Sequence, residues 1–417
     1  MELIQIDKPG AGDLVRLSDE LKAEFLDLWT ASSDALPHFA RRFTPAEHGA
    51  NEKALDGLAG ALLGKLRRLP PARGELAGWL EDFRPGLEDL ARRALGLDDA
   101  QIAYIRRSGL LEGAAEFARM ARAYDPAVSA EDIYQAGRNV MTANLIQLLL
   151  GLPVRVTGSV FAYSMLYPYT DNYLDDGAIP TTVKRSFNRR FRGWLEGERV
   201  QPENRREERI LDMVGLIESE WERDCFPQVY ASLLAIHASQ ARSLDLVGLD
   251  AHRHAAEVLE ISFEKGGTSV LADGYLVAGD LSRDQARLLY GYGAYTQLMD
   301  DLEDIEQDQH EGRLTVFTEY AGPLDMRLNR LIHFGRVVFA RMDGFDPRAG
   351  AALRGLLDRC LDPILSDIAG RAENRFSRAY LAQLEHHTAL RFAALRRLRG
   401  RLARSRLNLD ALVGVLV

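Results

Sequence analysis

The chain has 417 residues and a formal net charge of −9, and hydrophobic residues make up 47% of it. This length allows one large domain or two, with a substantial core. The acidic balance argues against nucleic acid as the main partner, because phosphate binding needs a broad basic face. Two distant cysteines, Cys225 and Cys360, argue against a disulfide framework or a zinc site.

The amino-terminal residues lack the basic start and the apolar stretch of a signal peptide. The most apolar stretch, residues 145–154, is too short to span a bilayer. We therefore expect a soluble, cytoplasmic protein.

Helical periodicity dominates the sequence, since apolar residues recur every three or four positions with Arg and Glu between them. Strand-like runs of Val, Ile and Thr are scarce. Capping-box spacing marks helix starts after Ser129 and Ser282, and Pro180 predicts a new helix near Thr181. The pattern predicts an all-α fold with helices over residues 74–95, 107–124, 130–150, 207–246, 282–307, 324–342 and 373–405.

The amino-terminal part differs from the rest, because Pro37, Pro45, Pro70 and Pro71 divide it into short elements. We interpret residues 1–72 as an N-terminal helical extension packed on a main helical domain of residues 73–417.

A first acidic cluster, YTDNYLDD at residues 169–176, follows an apolar helical segment. Asp171 and Asp175 lie ~40° apart around a helix, whereas Asp176 lies ~140° from Asp171. A solvated helix end and a metal site both explain such a cluster when it is considered alone.

A second acidic cluster lies in YTQLMDDLEDIEQDQHEGR, residues 295–313. Asp300, Asp304 and Asp308 fall at ~0°, ~40° and ~80° on a helix, with Asp301 at ~100° and Gln297 at ~60°. Carboxylates four residues apart repel, and no Lys or Arg lies between Asp300 and Asp308. Clustered carboxylate oxygens are typical ligands of a hard divalent cation such as Mg²⁺. A solvated acidic helix end is the alternative.

The second cluster resembles the second aspartate-rich motif of the class I isoprenoid (terpenoid) synthases. The polyprenyl diphosphate synthase form is matched by Gln297, Asp300, Asp301 and Asp304, with Thr296 at the aromatic position. Squalene and phytoene synthases carry a pattern similar to Asp304, Asp308, Gly312 and Arg313. Terpene cyclases place metal ligands at the spacing of Asp300, Asp304 and Asp308. The first cluster has the reverse order of the usual D-D-x-x-D motif. Its first aspartate, Asp171, lies 129 residues before Asp300.

The resemblance, over residues 130–390, implies an all-α bundle around a deep apolar pocket, with three Mg²⁺ ions, or Mn²⁺, at its mouth. It implies metal binding by Asp171, Asp175, Asp176, Asp300, Asp301, Asp304 and Asp308, of which Asp171, Asp175, Asp300 and Asp304 are assigned the catalytic role. It assigns diphosphate binding to Lys265, Arg313, Arg378 and Tyr380, and Gly266 and Gly267 would permit a kink after Lys265. A basic group at residues 184–192 is a further candidate for phosphate contact, although a surface role is typical of such runs.

We expect a Mg²⁺-dependent terpene synthase that ionises a linear prenyl diphosphate of fifteen to twenty-five carbons and cyclises or quenches the allyl cation. Residues 1–170 lack the isopentenyl diphosphate signature of chain-elongating prenyltransferases. Chain elongation, head-to-head condensation of the squalene or phytoene type, and a non-catalytic helical scaffold stay open. A ferritin-like di-iron bundle is disfavoured because the chain has no Glu-x-x-His pair.

The carboxyl-terminal segment 391–406 carries seven Arg and no acid. A basic amphipathic helix could make a peripheral contact with an anionic membrane, whereas a surface helix packed on the core is the more usual outcome. The resemblance also implies that a homodimer could form.

Overall fold

The computed structural model describes residues 11–66, 75–175, 179–243, 251–318, 323–345 and 347–404. Every regular element in these ranges is helical and none is a strand, so the all-α prediction is confirmed. The α-helices are α1 Ala11–Ala31, α2 Pro45–Leu66, α3 Glu75–Leu95, α4 Asp99–Arg107, α5 Leu110–Tyr124, α6 Ala130–Leu149, α7 Gly158–Asp175, α8 Thr181–Glu196, α9 Arg205–Glu220, α10 Pro227–Ser243, α11 Ala251–Ala278, α12 Arg283–Glu303, α13 Ile305–Glu311, α14 Asp325–Phe339, α15 Pro347–Arg371, α16 Arg378–Glu385 and α17 Phe392–Arg404. Short 3₁₀ turns cover Ala340–Gly344 and Glu373–Arg375.

The capping signals in the sequence predict helix starts correctly. The Ser129 hydroxyl accepts the backbone N–H of Asp132 at the start of α6. Ser282 and Gln285 form both halves of a capping box at the start of α12. Pro180 precedes α8, whose first residue is Thr181.

Three predicted helices are interrupted. The segment 207–246 contains two helices, because α9 ends at Glu220 and Pro227 begins α10, and proline suits the first position of a helix but not its interior. The segment 373–405 is divided between α16 and α17, where the Thr388 hydroxyl donates to the carbonyls of Glu385 and Leu390. The segment 282–307 breaks at Asp304, between α12 and α13.

The centre of the bundle is an antiparallel pair, α11 and α12, whose backbones approach very closely at Gly266 and Gly293. A Cβ atom on Gly266 would lie 2.3 Å from the carbonyl oxygen of Gly293, and one on Gly293 would lie 2.0 Å from that of Gly266. Because α11 is helical without interruption from Ala251 to Ala278, Gly266 serves this close crossing and no helix break follows Lys265.

The first helix belongs to the main core. Phe25 and Trp29 of α1 are buried and pack edge-on against Phe334 of α14. Glu24 of α1 accepts a hydrogen bond from Arg287 of α12 (2.8 Å). The predicted boundary at residue 72 lies outside the described residues, so the division of the chain stays a prediction.

The arginines of the carboxyl-terminal helix form ion pairs within the chain. Arg399 donates to Asp367 of α15 (2.6 Å), and Arg401 donates to Asp56 of α2 (2.7 Å). Arg391, just before α17, makes a two-pronged pair with Glu52 (2.6 and 2.7 Å). These pairs favour a surface helix packed on the core, and the membrane contact stays a prediction. In the described ranges, no helix has the length and apolarity needed to cross a bilayer.

Candidate functional site

The second acidic cluster surrounds the junction of α12 and α13. Asp300 and Asp301 lie in the last turn of α12, Asp304 forms the junction, and Asp308 lies in α13. The backbone N–H of Asp304 bonds to the Asp300 carbonyl (2.9 Å), and that of Asp308 bonds to the Asp304 carbonyl (2.8 Å). The helical spacing therefore continues through the junction, and the structure brings these four residues together.

Asp301 is the most enclosed member of the cluster, with 6% of its surface exposed. It accepts hydrogen bonds from Ser262 Oγ of α11 (3.0 Å) and from Gln297 Nε2 (2.8 Å). Burial raises the pKa of Asp301 to about 6, opposed by these two donors and by the charge of Lys265. Because both oxygens already accept hydrogen bonds, Asp301 anchors α12 to α11.

Asp300 forms an ion pair with Arg138 of α6. Burial is the largest cause that raises the pKa of Asp300, and it outweighs Arg138, even though 39% of the Asp300 side chain is exposed. Asp304 is exposed, and burial followed by the charges of Asp300 and Glu303 raises its pKa. Asp300 and Asp304 are thus reached by solvent although much of their surroundings is protein, which is typical of carboxylates that line a cleft.

Asp308 is 9% exposed, and its carboxylate makes no hydrogen bond or ion pair with the residues that the structure describes. Burial raises its pKa to about 7, and the charges of Asp301 and Asp304 add to the effect. A buried carboxylate repelled by its neighbours and left without a partner favours either a proton or a cation.

Apart from Arg138, which pairs with Asp300, the cations around the cluster form no ion pair with its carboxylates in the described part of the chain. Lys265 acts on Asp300 and Asp301 through its charge alone. Arg371 of α15 is paired with Glu303 (2.7 Å), and Arg313 is paired with Glu311 (2.9 Å). The backbone N–H of Arg313 also closes the turn after α13 by bonding to the Asp308 carbonyl (2.8 Å).

The end of α7, which carries the first acidic cluster, lies at the same end of α6 as the second cluster. Asn172 of α7 donates to Asp132 of α6 (2.7 Å), and Arg138 of α6 meets Asp300. These two attachment points are six residues apart, ~9 Å along the helix axis. The side chains of Asp171 and Asp175, and the whole of Asp176, lie outside the described residues.

The other two predicted diphosphate residues lie on α16. Arg378 is exposed, whereas Tyr380 is buried and its hydroxyl donates to Asn329 of α14 (2.6 Å). No contact joins Tyr380 to the acidic cluster in the described part of the chain, so its role toward diphosphate stays a prediction. In the basic group at residues 184–192, the guanidinium of Arg190 already binds the Glu207 carboxylate through two nitrogens (2.8 and 2.6 Å).

We infer from the helix contacts that a cleft extends from the acidic cluster between α6 and α12. Both helices pack on α11 and both meet α15, but no extensive contact joins them directly in the described ranges. The partly exposed side chains of these two helices include Met141, Leu145 and Leu148 on α6 and Tyr292, Thr296 and Met299 on α12. The cleft is therefore mostly apolar beyond its acidic mouth.

A cavity of about 520 Å³ lies at the far end of these helices. It is lined by Leu149, Leu150, Ser282, Asp284, Gln285, Arg287, Leu288, Ala340, Arg341 and Phe345. Leu288 and Asp300 are twelve residues apart, so the cavity lies ~18 Å along α12 from the acidic mouth.

Two features of the cleft could not be identified from motifs. Arg138 is 162 residues from Asp300 in sequence and does not belong to any of the motifs recognised there. Asp273 of α11 is 2% exposed and bonds to Asn139 of α6 (3.0 Å). A lone acid within the apolar stretch SVLADGYLV was the one available signal for Asp273.

The donor set fits magnesium in its chemistry. Asp304 and Asp308 offer carboxylate oxygens without a protein partner in the described part of the chain, and Mg²⁺ commonly uses one or two carboxylates together with water and substrate phosphates. No group of three or more His, Cys, Asp or Glu side chains within the described ranges is arranged to hold a metal ion by itself.

No family model, no curated protein and no solved structure matches the chain.

Proposed function

We propose that the chain is a Mg²⁺-dependent class I terpene synthase that ionises a linear prenyl diphosphate of fifteen to twenty-five carbons. The observation that carries this proposal is the cluster of four aspartates whose pKa values are all raised at the mouth of an apolar cleft. A prenyl diphosphate has a charged head, which suits the acidic mouth once metal is bound, and a hydrocarbon tail, which suits the apolar cleft.

Asp304 and Asp308 would hold magnesium, with Asp300 joining them when it leaves Arg138, and Asp171, Asp175 and Asp176 are the predicted ligands from the opposite helix. When bound, the metal supplies charge stabilisation to the departing diphosphate. Asp301 keeps α12 fixed against α11 through Ser262 and Gln297.

The cationic side chains of the mouth would bind the diphosphate head. Arg138 and Lys265 lie next to Asp300, and guanidinium and ammonium groups are strong donors to phosphate oxygens. Apolar side chains such as Leu145 and Met299 would exclude water from the allyl cation after ionisation.

Head-to-head condensation is a second candidate, because Asp308, Gly312 and Arg313 form one structural unit. Gly312 has φ +69° and ends α13, and the Arg313 N–H bonds to the Asp308 carbonyl. This is the segment that resembles squalene and phytoene synthases. Chain elongation and a non-catalytic scaffold have no comparable support.

The experiment is incubation of the chain with Mg²⁺ and geranyl, farnesyl, geranylgeranyl or longer prenyl diphosphates, with and without isopentenyl diphosphate. Diphosphate release with a hydrocarbon or alcohol from a single substrate supports the proposal. A longer diphosphate that requires isopentenyl diphosphate would replace it with elongation, and a dimeric hydrocarbon would replace it with condensation. No diphosphate release from any substrate would refute enzyme activity of this class.

Matched variants separate the site from general effects of charge. Asp304→Asn and Asp308→Asn should each lower diphosphate release on the order of 100-fold, the usual loss when one group that stabilises transition-state charge is removed. Glu306→Gln changes the same charge at an exposed position between them and should leave the rate unchanged.

A further inference from the structure

The cavity at the far end of α6 and α12 is lined by two arginines that share a single carboxylate. Arg287 and Arg341 both line this space of about 520 Å³. Arg287 Nε and Nη2 lie 2.8 and 2.6 Å from Oε1 of Glu24 on α1, and Arg341 Nη1 lies 2.9 Å from the same oxygen. Two guanidinium groups therefore meet one carboxylate, and the three side chains together carry one positive charge in excess.

Glu24 stays ionised and cannot cancel both arginines. Burial acts to raise the pKa of Glu24, but the hydrogen bonds and charges of Arg287 and Arg341 outweigh it and lower the pKa. A carboxyl group with a lowered pKa is charged at pH 7. The excess positive charge therefore persists at neutral pH.

Arg341 has hydrogen-bond donors that the described structure does not use. Its Nη1 is buried and makes no hydrogen bond there, because its N–H groups are not aligned with Glu24 Oε1 despite the short separation. The guanidinium lies over the ring of Phe25, 5.1 Å from the ring centre, which fixes its position. A buried donor without an acceptor is unfavourable, and an anion would supply the missing oxygen.

The remaining walls of the cavity are mostly apolar, and its volume is within the range of about 300–1,000 Å³ that is typical of small-molecule sites. Asp284 also lines the cavity, but it is exposed and makes no ion pair with either guanidinium within the described residues. Solvent therefore screens its charge. The apolar lining comprises Leu149, Leu150, Leu288, Ala340 and Phe345.

We propose that this cavity is a binding site for an amphipathic organic anion. Arg287 and Arg341 bind its carboxylate or phosphate group, and the leucines contact its hydrocarbon part. The site is separate from the acidic mouth, since ~18 Å of α12 lies between them. The proposal does not rest on the synthase activity, so its test needs neither Mg²⁺ nor a prenyl diphosphate.

The experiment is titration calorimetry of the full chain in EDTA with octanoate, octyl phosphate and octanol. EDTA removes any metal that could bridge an anion to the carboxylates of the mouth. Both anions should bind saturably, whereas octanol, which has the same hydrocarbon chain and no charge, should bind much more weakly. The tighter of the two anions identifies the acidic group that the site prefers.

Two substitutions should change the affinity in opposite directions. Arg341→Met removes the excess charge and should weaken the binding of octyl phosphate by about tenfold or more, the usual loss for a hydrogen bond to a charged group. Glu24→Gln removes the competing carboxylate and should tighten binding by about threefold. General damage to the fold would weaken binding in both variants. Arg283→Met is the matched control, because Arg283 carries the same charge on α12 in an exposed pair with Glu20, and its binding should equal that of the wild type.

Several outcomes would overturn the site. These are the absence of saturable binding of either anion, equal binding of octanol, and weaker binding in Glu24→Gln. Binding that is lost in Arg138→Met but kept in Arg341→Met would place the anion at the acidic mouth and also overturn the site.

If circular dichroism shows that Arg341→Met or Glu24→Gln does not fold, a crystal structure of the wild type with octyl phosphate decides. A phosphate group within hydrogen-bonding distance of both guanidiniums supports the site. Any other position of the molecule, or no bound molecule, overturns it.

Discussion

Replacing Asp308 with Asn tests whether the acidic cluster is poised to bind a cation. Burial, with the charges of Asp301 and Asp304, raises the pKa of Asp308 from 3.8 to about 7. Since the folded-state pKa is raised, the stability that this group contributes is complete below about pH 4 and is lost as the pH rises through 7. Above pH 7 the metal-free protein therefore carries an unfavourable charge at this position.

The magnitude follows from the shift of the pKa. A shift from 3.8 to about 7 corresponds to a ceiling of about 4 kcal/mol in the free energy of unfolding. Asp304, one source of the shift, is exposed and screened by solvent, so we expect a gain of about 2 kcal/mol for Asp308→Asn at pH 8 in EDTA. The gain should shrink progressively as the pH is lowered toward 4, which urea denaturation at several pH values would measure.

Ligands should reverse this order of stability. Mg²⁺ with inorganic diphosphate should raise the Tm of the wild type clearly and that of Asp308→Asn little, because the variant lacks one oxygen ligand. Glu306→Gln, the exposed control, should match the wild type in both conditions. An unchanged or lower stability of metal-free Asp308→Asn at pH 8 would refute the reasoning. A scaffold without a cation site predicts the same gain but no ligand effect in either protein.

Two further predictions concern the packing that positions the site. Gly293→Ala should lower the free energy of unfolding by about 2–3 kcal/mol in urea denaturation, because its Cβ would lie 2.0 Å from the Gly266 carbonyl oxygen. Gly137→Ala, whose Cβ would have no atom within 4 Å, should raise the free energy of unfolding by about 0.5–1 kcal/mol. Equal effects of the two substitutions would contradict the close crossing. Arg190→Met should lower the free energy of unfolding by about 3–5 kcal/mol, because it leaves the charge of Glu207 buried and unpaired. Arg192→Met, which removes an exposed pair with Glu196, should lower it by less than about 1 kcal/mol. Calorimetry that finds the two losses alike would contradict the buried role of Arg190.

Local signals explain what the sequence predicted correctly. Helical periodicity and caps depend on neighbouring residues, so α6 and α12 begin where Ser129 and Ser282 indicate. The spacing of Asp300, Asp304 and Asp308 likewise survives because hydrogen bonds of the helical type continue across the junction. Helix interruptions were missed where a proline or a side-chain hydrogen bond competes with an otherwise periodic pattern.

Long-range contacts explain what the sequence could not predict. The kink that Gly266 and Gly267 would permit stays a prediction, whereas the close crossing of Gly266 with Gly293 involves a partner that only the fold brings near. The hydroxyl of Tyr380, whose assignment to diphosphate stays a prediction, donates to Asn329, a partner 51 residues away that the sequence could not indicate. Arg138 and Asp273 belong to no motif, because their environment is created by helices distant in sequence.

Arg138 would compete with a bound metal ion for the carboxylate of Asp300. In the absence of metal its guanidinium compensates Asp300, the carboxylate at the centre of the predicted motif. The same guanidinium is a strong donor for phosphate oxygens. The structure therefore predicts opposite effects of Arg138→Met on the two ligands, since the substitution frees Asp300 for a cation and removes a contact for the anion.

The size of the Mg²⁺ effect follows from exposure of the pair. Because 52% of the Arg138 side chain and 39% of that of Asp300 are exposed, breaking the pair is worth about 1 kcal/mol, which corresponds to about fivefold tighter Mg²⁺ binding. Diphosphate in the presence of Mg²⁺ should bind more weakly to the variant, and titration calorimetry measures both constants. Arg16→Met removes the same charge from an exposed pair with Asp13 on α1 and should change neither. If Mg²⁺ and diphosphate affinities both fall in Arg138→Met, the arginine supports the fold of the mouth and does not compete with the metal for Asp300.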